Sequence, residues 1–437
     1  MSFLELFTDP LSRGPLIATL FMSISTALVG AIAFIRKKSL VAETLSHSTF
    51  PGVAFGLLAS FFFFSGNDLI LFYLPLLFAF GFAILAQALV EKMLKEKKSA
   101  DVSLCYILSF LLAIGVLVAS YMQHSHVMLF KNLQIFFYGQ AATMHDTHIY
   151  IYGALSLLVA LVALIFQRAI KFSCFDPLFS SSVGIKSWIM KGTFSFLLTL
   201  SIVIGIRSVG VVLVTGMMIA PSVVARAFTK KFSTFLLASS LFGALFAFLG
   251  YIVCYLLENG AESTYSVPIG PAIIVISTLV AFISLLFAPS NGAIIKQMRK
   301  WRFQKSCILE NILKFFWKTP CQSYHLIHLK KKQFASFSIL LFALFKLVKQ
   351  GYLKKEGLFE YRLTEDGKKK AAYIVRLHRL WELYLIEYLS SEIEKVHQSA
   401  ELIEHIITPE IEDKLTKLLL NPKVDPHMQP IPIKEVL

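Results

Sequence analysis

The segment VHQSAELIEH, residues 396–405, carries four side chains able to bind a cation. At roughly 100° per residue on a helix, His397, Glu401, Glu404 and His405 share an arc of about 100°. Imidazole and carboxylate groups so arranged are donors for a divalent metal ion. A second helical stretch, HRLWE, sets His378 and Glu382 at i and i+4. Two such helices facing one another could enclose a cation. A solvated Glu/Lys helix has similar composition, but Leu402, Ile403 and Ile406 would pack the opposite side.

The elements that must position these groups differ sharply along the chain. The 437 residues are 56% hydrophobic, with a mean hydropathy of +0.68, a composition that excludes an ordinary soluble protein. Residues 1–288 hold 17 Lys+Arg and 11 Asp+Glu, whereas residues 289–437 hold 25 and 16 on about half the length. The two parts therefore face different solvents. The five cysteines lack CxxC spacing and suggest neither a disulfide framework nor a thiolate zinc site. The N-terminus has no basic run before its first apolar stretch and reads as a membrane helix, not a removed leader.

Apolar runs fall near 15–35, 69–90, 103–121, 148–167, 188–206, 209–225, 233–256 and 269–288. Most approach the ~20 residues that cross a bilayer. A shorter run, 50–64, places Pro51 in its first turn, and 127–140 is a further short candidate, giving eight to ten spans. With the N-terminus outside, 14 Lys/Arg lie on the inner side and only Arg13, Lys131 and Arg207 outside. The charged C-terminal part is then cytoplasmic.

Four loops carry recognisable detail: ETLSHSTFPGVA (43–54), FDPLFSSSVGI (175–185), RSVGVVLVTGMMIAPSVVARAF (207–228) and SVPIGPAII (266–274). In the second, Asp176 is an N-cap and Pro177 the first residue of a short helix that presents Leu178 and Phe179. In this order the four stretches resemble the permease subunit of the manganese/zinc/iron family of ABC importers, over residues 10–288. The resemblance implies ATP-driven uptake of a divalent metal through paired permease subunits, fed by an extracytoplasmic metal-binding protein. The sequence lacks a Gly-rich phosphate loop ending in Lys-Ser/Thr, so the ATPase is expected on a separate cytoplasmic chain, docking at Asp176–Phe179. His47, and at the outer face His124, His126, His145, Asp146 and His148, are the candidates for the metal path.

Beyond residue 307 helical periodicity returns without membrane length. Helices near 308–317 and 338–349, a region around 326–334, Gly351, and two short strands turning at Glu356-Gly357 read as a winged helix-turn-helix. The pattern HRLWE…VHQSAELIEH…DPHMQPIP resembles the DtxR/MntR metal-dependent repressors, over about 308–437. That resemblance implies a metal-binding, dimerising regulator. It assigns His378, Glu401, Glu404 and His405 as primary or ancillary ligands, and Glu382 and His397 to a second site. Oxygen donors favour Mn²⁺ or Fe²⁺ over Zn²⁺. Losing Glu404 or His405 is then expected to weaken metal binding sharply.

Two departures stand against the pattern. The family's first helix supplies an acidic or sulfur ligand; here Asn311 and Lys314 stand nearest, and only Glu310 is acidic. The presumed recognition helix, SFSILLFALFKLVKQ, sets Ile339 and Phe342 where side chains would read base edges. Lys330, Lys331, Lys332 and Lys346 remain for the phosphates of promoter DNA.

The sequence therefore reads as an all-α polytopic membrane domain (1–288), a basic linker (289–307), a winged helix-turn-helix (308–370) and a metal-binding and dimerisation domain (371–437). The expected protein is a permease with a metal-sensing repressor on its cytoplasmic end and no enzymatic activity of its own. Cutting the linker would release a soluble regulator of about 130 residues. The rivals are a tail that gates transport without touching DNA and a secondary transporter with a regulatory tail.

Overall fold

The computed structural model describes residues 9–63, 68–96, 98–211, 213–260, 268–289, 292–318, 324–326, 329, 336–357, 359–389, 400, 401 and 403–433. The chain divides into two compact units, Met1–Ile295 and Lys296–Leu437.

The first unit is helical: α1 (Pro10–Ile35), α2 (Ser39–Phe63), α3 (Asp68–Lys95), α4 (Ala100–Ser125), α5 (Val127–Tyr138), α6 (Asp146–Ile165), α7 (Gln167–Phe175), α8 (Pro177–Ser182), α9 (Ser187–Val209), α10 (Val214–Phe228), α11 (Phe232–Gly260) and α12 (Ile269–Phe287). Among the described residues eight helices are long and apolar enough to cross a membrane; α5 and α10 are shorter apolar helices. At 1.5 Å per residue, the 15 residues of α10 reach about 22 Å, short of a hydrocarbon core of roughly 30 Å.

Two boundaries differ from the sequence reading. The run placed at 50–64 belongs to a helix that begins at Ser39, so Pro51 lies in its interior. Hydropathy misses residues 39–50 because of their hydroxyls, but several of these are satisfied within the helix: Thr44 donates to the Leu40 carbonyl at 2.9 Å and Ser48 to that of Thr44 at 2.6 Å. The second boundary is the run at 209–225, which is broken. Helix α9 ends at Gly210, with φ of 94°, and α10 starts at Val214.

The break is paired with another. Gly139 ends α5 with φ of 77°. Val211 N–H donates to the Phe136 carbonyl, and Gln140 N–H to that of Arg207, both at 3.1 Å. A Cβ on Gly210 would stand 2.4 Å from the Phe137 carbonyl oxygen, and one on Gly139 would stand 2.3 Å from the Val209 carbonyl carbon. Both the positive φ and the close approach therefore require glycine. Ser46 donates to the Val211 carbonyl, tying α2 to this junction. Close packing recurs where Gly52 and Gly56 of α2 meet the backbone of α3 at Ala79 and Pro75. This small-xxx-small spacing lets membrane helices approach.

The second unit contains α13 (Ala293–Lys318), β1 (Tyr324–His325), α14 (Phe337–Lys349), β2 (Leu353–Lys355), β3 (Glu360–Leu363), α15 (Glu365–Leu389) and α16 (Pro409–Leu418). The strands form one antiparallel sheet in the order β1-β3-β2. Gly351, with φ of 78°, turns the chain from α14 into the hairpin. Leu309, Ile312, Leu313, Phe316, Leu340, Leu344 and Leu347 make its core with Leu353 and Tyr361. Most of the region around 326–334, with Lys330–Lys332, lies outside the described residues.

The stretch read as a linker is also different. Helix α13 begins at Ala293, so most of 289–307 is helical. Its Lys, Arg, Gln and Met residues are good helix formers. Their exposure removes the apolar periodicity that would have revealed the helix. Cleavage there requires local unwinding.

Candidate functional site

Five of the predicted regulator ligands fall within the described residues; His397 lies outside them. Helix α15 supplies His378 and Glu382, one turn apart and both nearly fully buried. The segment before α16 supplies Glu404 and His405, with Glu404 N–H bonded to the Ala400 carbonyl at 3.0 Å. Glu401 is exposed. The C-terminal DPHMQPIP stretch packs back on α15. Arg376 donates to the Pro432 carbonyl at 2.8 Å, and Arg379 pairs with Asp425 at 3.2 Å. Arg376 also pairs with buried Glu412 at 2.8 Å. These contacts anchor α15 and hence His378.

The centre of the cluster is held by a residue not counted among the ligands. Lys314, from α13, places its Nζ 2.7 and 3.0 Å from the two Glu404 oxygens and 3.1 Å from His378 Nδ1. Its side chain is 7% exposed and that of Glu404 0%. His378 Nδ1 also contacts a Glu404 oxygen, and its Nε2 lies 3.0 Å from Glu382. Glu310, on the same helix as Lys314, bonds His405 Nδ1.

The electrostatics match this geometry. Burial alone would push the Glu404 carboxyl up, but bonds from His378 and Lys314 outweigh it and hold the group below the usual carboxylate range. Burial pulls the His378 imidazole down, yet its bonds to Glu382 and Glu404 raise it above its ordinary value. Among the described residues no group of three or more His, Cys, Asp or Glu is arranged to hold a metal ion. A divalent ion between His378 and Glu404 would need the same donor atoms that surround the ammonium. As folded here, this pocket does not fit one.

In the membrane unit the outer-face candidates have other engagements. Asp146 receives two bonds from the Arg13 guanidinium. His148 Nδ1 accepts from the His145 backbone N–H at 3.2 Å, closing the first turn of α6. His126 packs among the rings of Phe61, Phe62 and Tyr121, and His124 is exposed near the end of α4. His47 stands apart. It is half-buried among the hydroxyls of α2, and its Nδ1 is buried with no hydrogen-bond partner among the described residues. Pro51 has no N–H to offer the His47 carbonyl.

The Asp176 segment forms the expected helix α8. Asp176 accepts from the Phe179 N–H at 2.9 Å, with Pro177 at the first turn. Leu178 is 83% exposed and Phe179 47%. Two adjacent large apolar side chains held out by a capped helix are suited to an apolar socket on another protein.

The sequence reading missed three pairings: Lys314 with Glu404, Arg376 with Glu412 and Arg13 with Asp146. Lys314 gave one signal, as a cation where the resemblance calls for a ligand.

The geometry can be set beside known proteins. Residues 9–288 match the ABC 3 transport family, and residues 364–433 match the iron dependent repressor, metal binding and dimerisation domain. Over 98% of its length the chain is similar to probable metal transport system membrane proteins of Chlamydia trachomatis and Chlamydia pneumoniae. The identities are 30% and 33%, covering 97% and 98% of those proteins. The membrane unit shares the fold of a solved structure, PsaBC from Streptococcus pneumoniae in complex with Fab. That match has a TM-score of 0.55 at 23% identity, over 66% of this chain and 95% of that one. With eight apolar helices of membrane-spanning length among the described residues and a family match across most of the membrane unit, the chain belongs to the ABC 3 transport family.

Proposed function

We propose that this chain is the membrane-spanning permease of an ATP-driven importer of a divalent metal, Mn²⁺, Fe²⁺ or Zn²⁺, with a DtxR-like regulatory domain at its cytoplasmic end. The match over nearly the whole chain to two metal transport membrane proteins carries the reading. Bacillus subtilis MntC, a manganese transport system membrane protein, is 24% identical over 86% of the chain, which supports the same substrate class. The excess of basic loop residues favours the N-terminus outside and α8 inside. Metal would arrive from an extracytoplasmic binding protein, cross between two permease subunits and leave toward the cytoplasm. A separate ATPase supplies the energy by gripping α8 at Leu178 and Phe179.

Replacing Leu178 and Phe179 by Ser should abolish co-purification of the partner ATPase while leaving membrane insertion intact. Retained association and full uptake would assign coupling to another loop.

A specific observation bears on how the tail acts. Helix α14 presents Phe337, Ile339, Leu341, Phe342 and Phe345 to solvent, with Phe345 67% exposed. Base edges are read by hydrogen-bonding side chains, and these exposed positions of α14 offer none, with Lys346 lying in its last turn. This favours a tail that regulates transport through protein contacts over a promoter-reading repressor released from the membrane. Dimerisation of the tail is compatible with both.

A further inference from the structure

We propose that Lys314 is a built-in cation of the regulatory domain: its ammonium takes the place of a divalent ion in the pocket formed by α13, α15 and the 400–405 segment. The inference concerns this pocket alone and stands whether or not the membrane unit carries metal.

A metal ion in such a place would do two things. It would neutralise buried carboxylates and bridge segments that are distant in sequence. Lys314 does both. It contacts Glu404, 90 residues away, through both carboxylate oxygens, and His378, 64 residues away. The Glu404 side chain has no exposure to water, so its charge must be met inside the protein. A lysine arm delivers that charge from the chain itself. It cannot dissociate, and its occupancy does not follow the metal concentration of the cytoplasm.

A divalent ion entering the pocket would have to expel the ammonium and leave it buried without its carboxylate, which is strongly unfavourable. The neighbouring ligand candidate is also engaged, since His405 Nδ1 is bonded to Glu310 of α13. The Glu404 oxygens and His378 Nδ1 are therefore already occupied by a cation, with or without metal.

Counting ions on the intact chain tests this. Full-length protein in detergent is stripped with chelator and dialysed against Mn²⁺, and bound manganese per chain is measured by elemental analysis. Wild type, Glu404→Gln and His378→Gln should bind equal amounts. Lys314→Glu, which turns the tethered cation into a carboxylate donor, should bind one more ion per chain than wild type. Lys314→Met, which opens the pocket with less change of charge, should show the same gain if the glutamate variant aggregates. A loss of one ion in Glu404→Gln or His378→Gln relative to wild type would overturn the proposal. So would monodisperse Lys314 variants that gain none.

Discussion

In metal-free buffer, Lys314→Met should destabilise the C-terminal unit by about 3–5 kcal/mol, the range for removing one partner of a buried ion pair. Methionine nearly preserves the length and volume of the lysine stem, so lost packing contributes little. What remains is the Glu404 carboxylate, fully enclosed and deprived of a cation that sits 2.7 Å away in the wild type. His378 already contacts Glu404 through Nδ1 and divides its charge between that group and Glu382 at Nε2, so it compensates only in part. Hydrogen exchange of the intact protein reads the effect. Amides of α15 should exchange faster by on the order of two to three and a half decades, whereas those of α1 should not change. Added Mn²⁺ should restore part of the protection in the variant and none in the wild type. A change below about 1 kcal/mol, the size typical of an exposed pair, would mean that water reaches the pocket.

His47→Ala is the substitution expected to affect transport most. The imidazole lies in α2 with a buried Nδ1 that has no hydrogen-bond partner among the described residues, near the Thr44 and Ser48 hydroxyls, which are bonded to their own helix. An unsatisfied polar group inside a membrane protein carries a free-energy cost and persists where a solute passes. Ser46, the preceding residue, ties the helix to the α9–α10 break, so His47 follows directly on a residue bonded to interrupted helical backbone. On the proposed route of the substrate metal past His47, loss of this donor should lower the initial uptake rate by on the order of tenfold or more. Association with the ATPase should be unaffected. Unchanged uptake by His47→Ala would move the metal path to another face of α2.

What the sequence disclosed followed physical rules that act over short range. Asp176-Pro177 announces a helix start because a cap and a proline need only a few neighbouring residues. Gly351 and the hairpin after it are equally local. His378 and Glu382 share a turn of α15, so their pairing was legible from spacing. The misreadings occur where distance or context decides. Hydropathy falls across 43–49 and so makes Pro51 look like a helix start, because hydropathy cannot register a hydroxyl bonded to its own backbone. The start of helix α13 reads as a linker because an exposed basic helix and a basic coil have the same composition. Lys314 is the instructive case. Lysine is ordinarily a surface residue, and nothing in its neighbours indicates that it turns inward to meet a glutamate 90 residues later. Arg13 and Asp146, 133 residues apart, were separated in the same way. The outer-face candidates were chosen for residue type, which does not reveal that the acid already has a partner.

The central claim, that this chain is the divalent-metal permease of an ATP-driven importer, is tested most directly by reconstitution. The chain and its partner ATPase are placed in liposomes, with ATP on the face that exposes α8, and uptake of radioactive Mn²⁺ from the opposite side is followed in the presence of the cognate binding protein. The account predicts accumulation that requires ATP and disappears when Leu178 and Phe179 are replaced by Ser. Accumulation at the same rate without ATP, driven by an ion gradient alone, would contradict it and identify a secondary transporter.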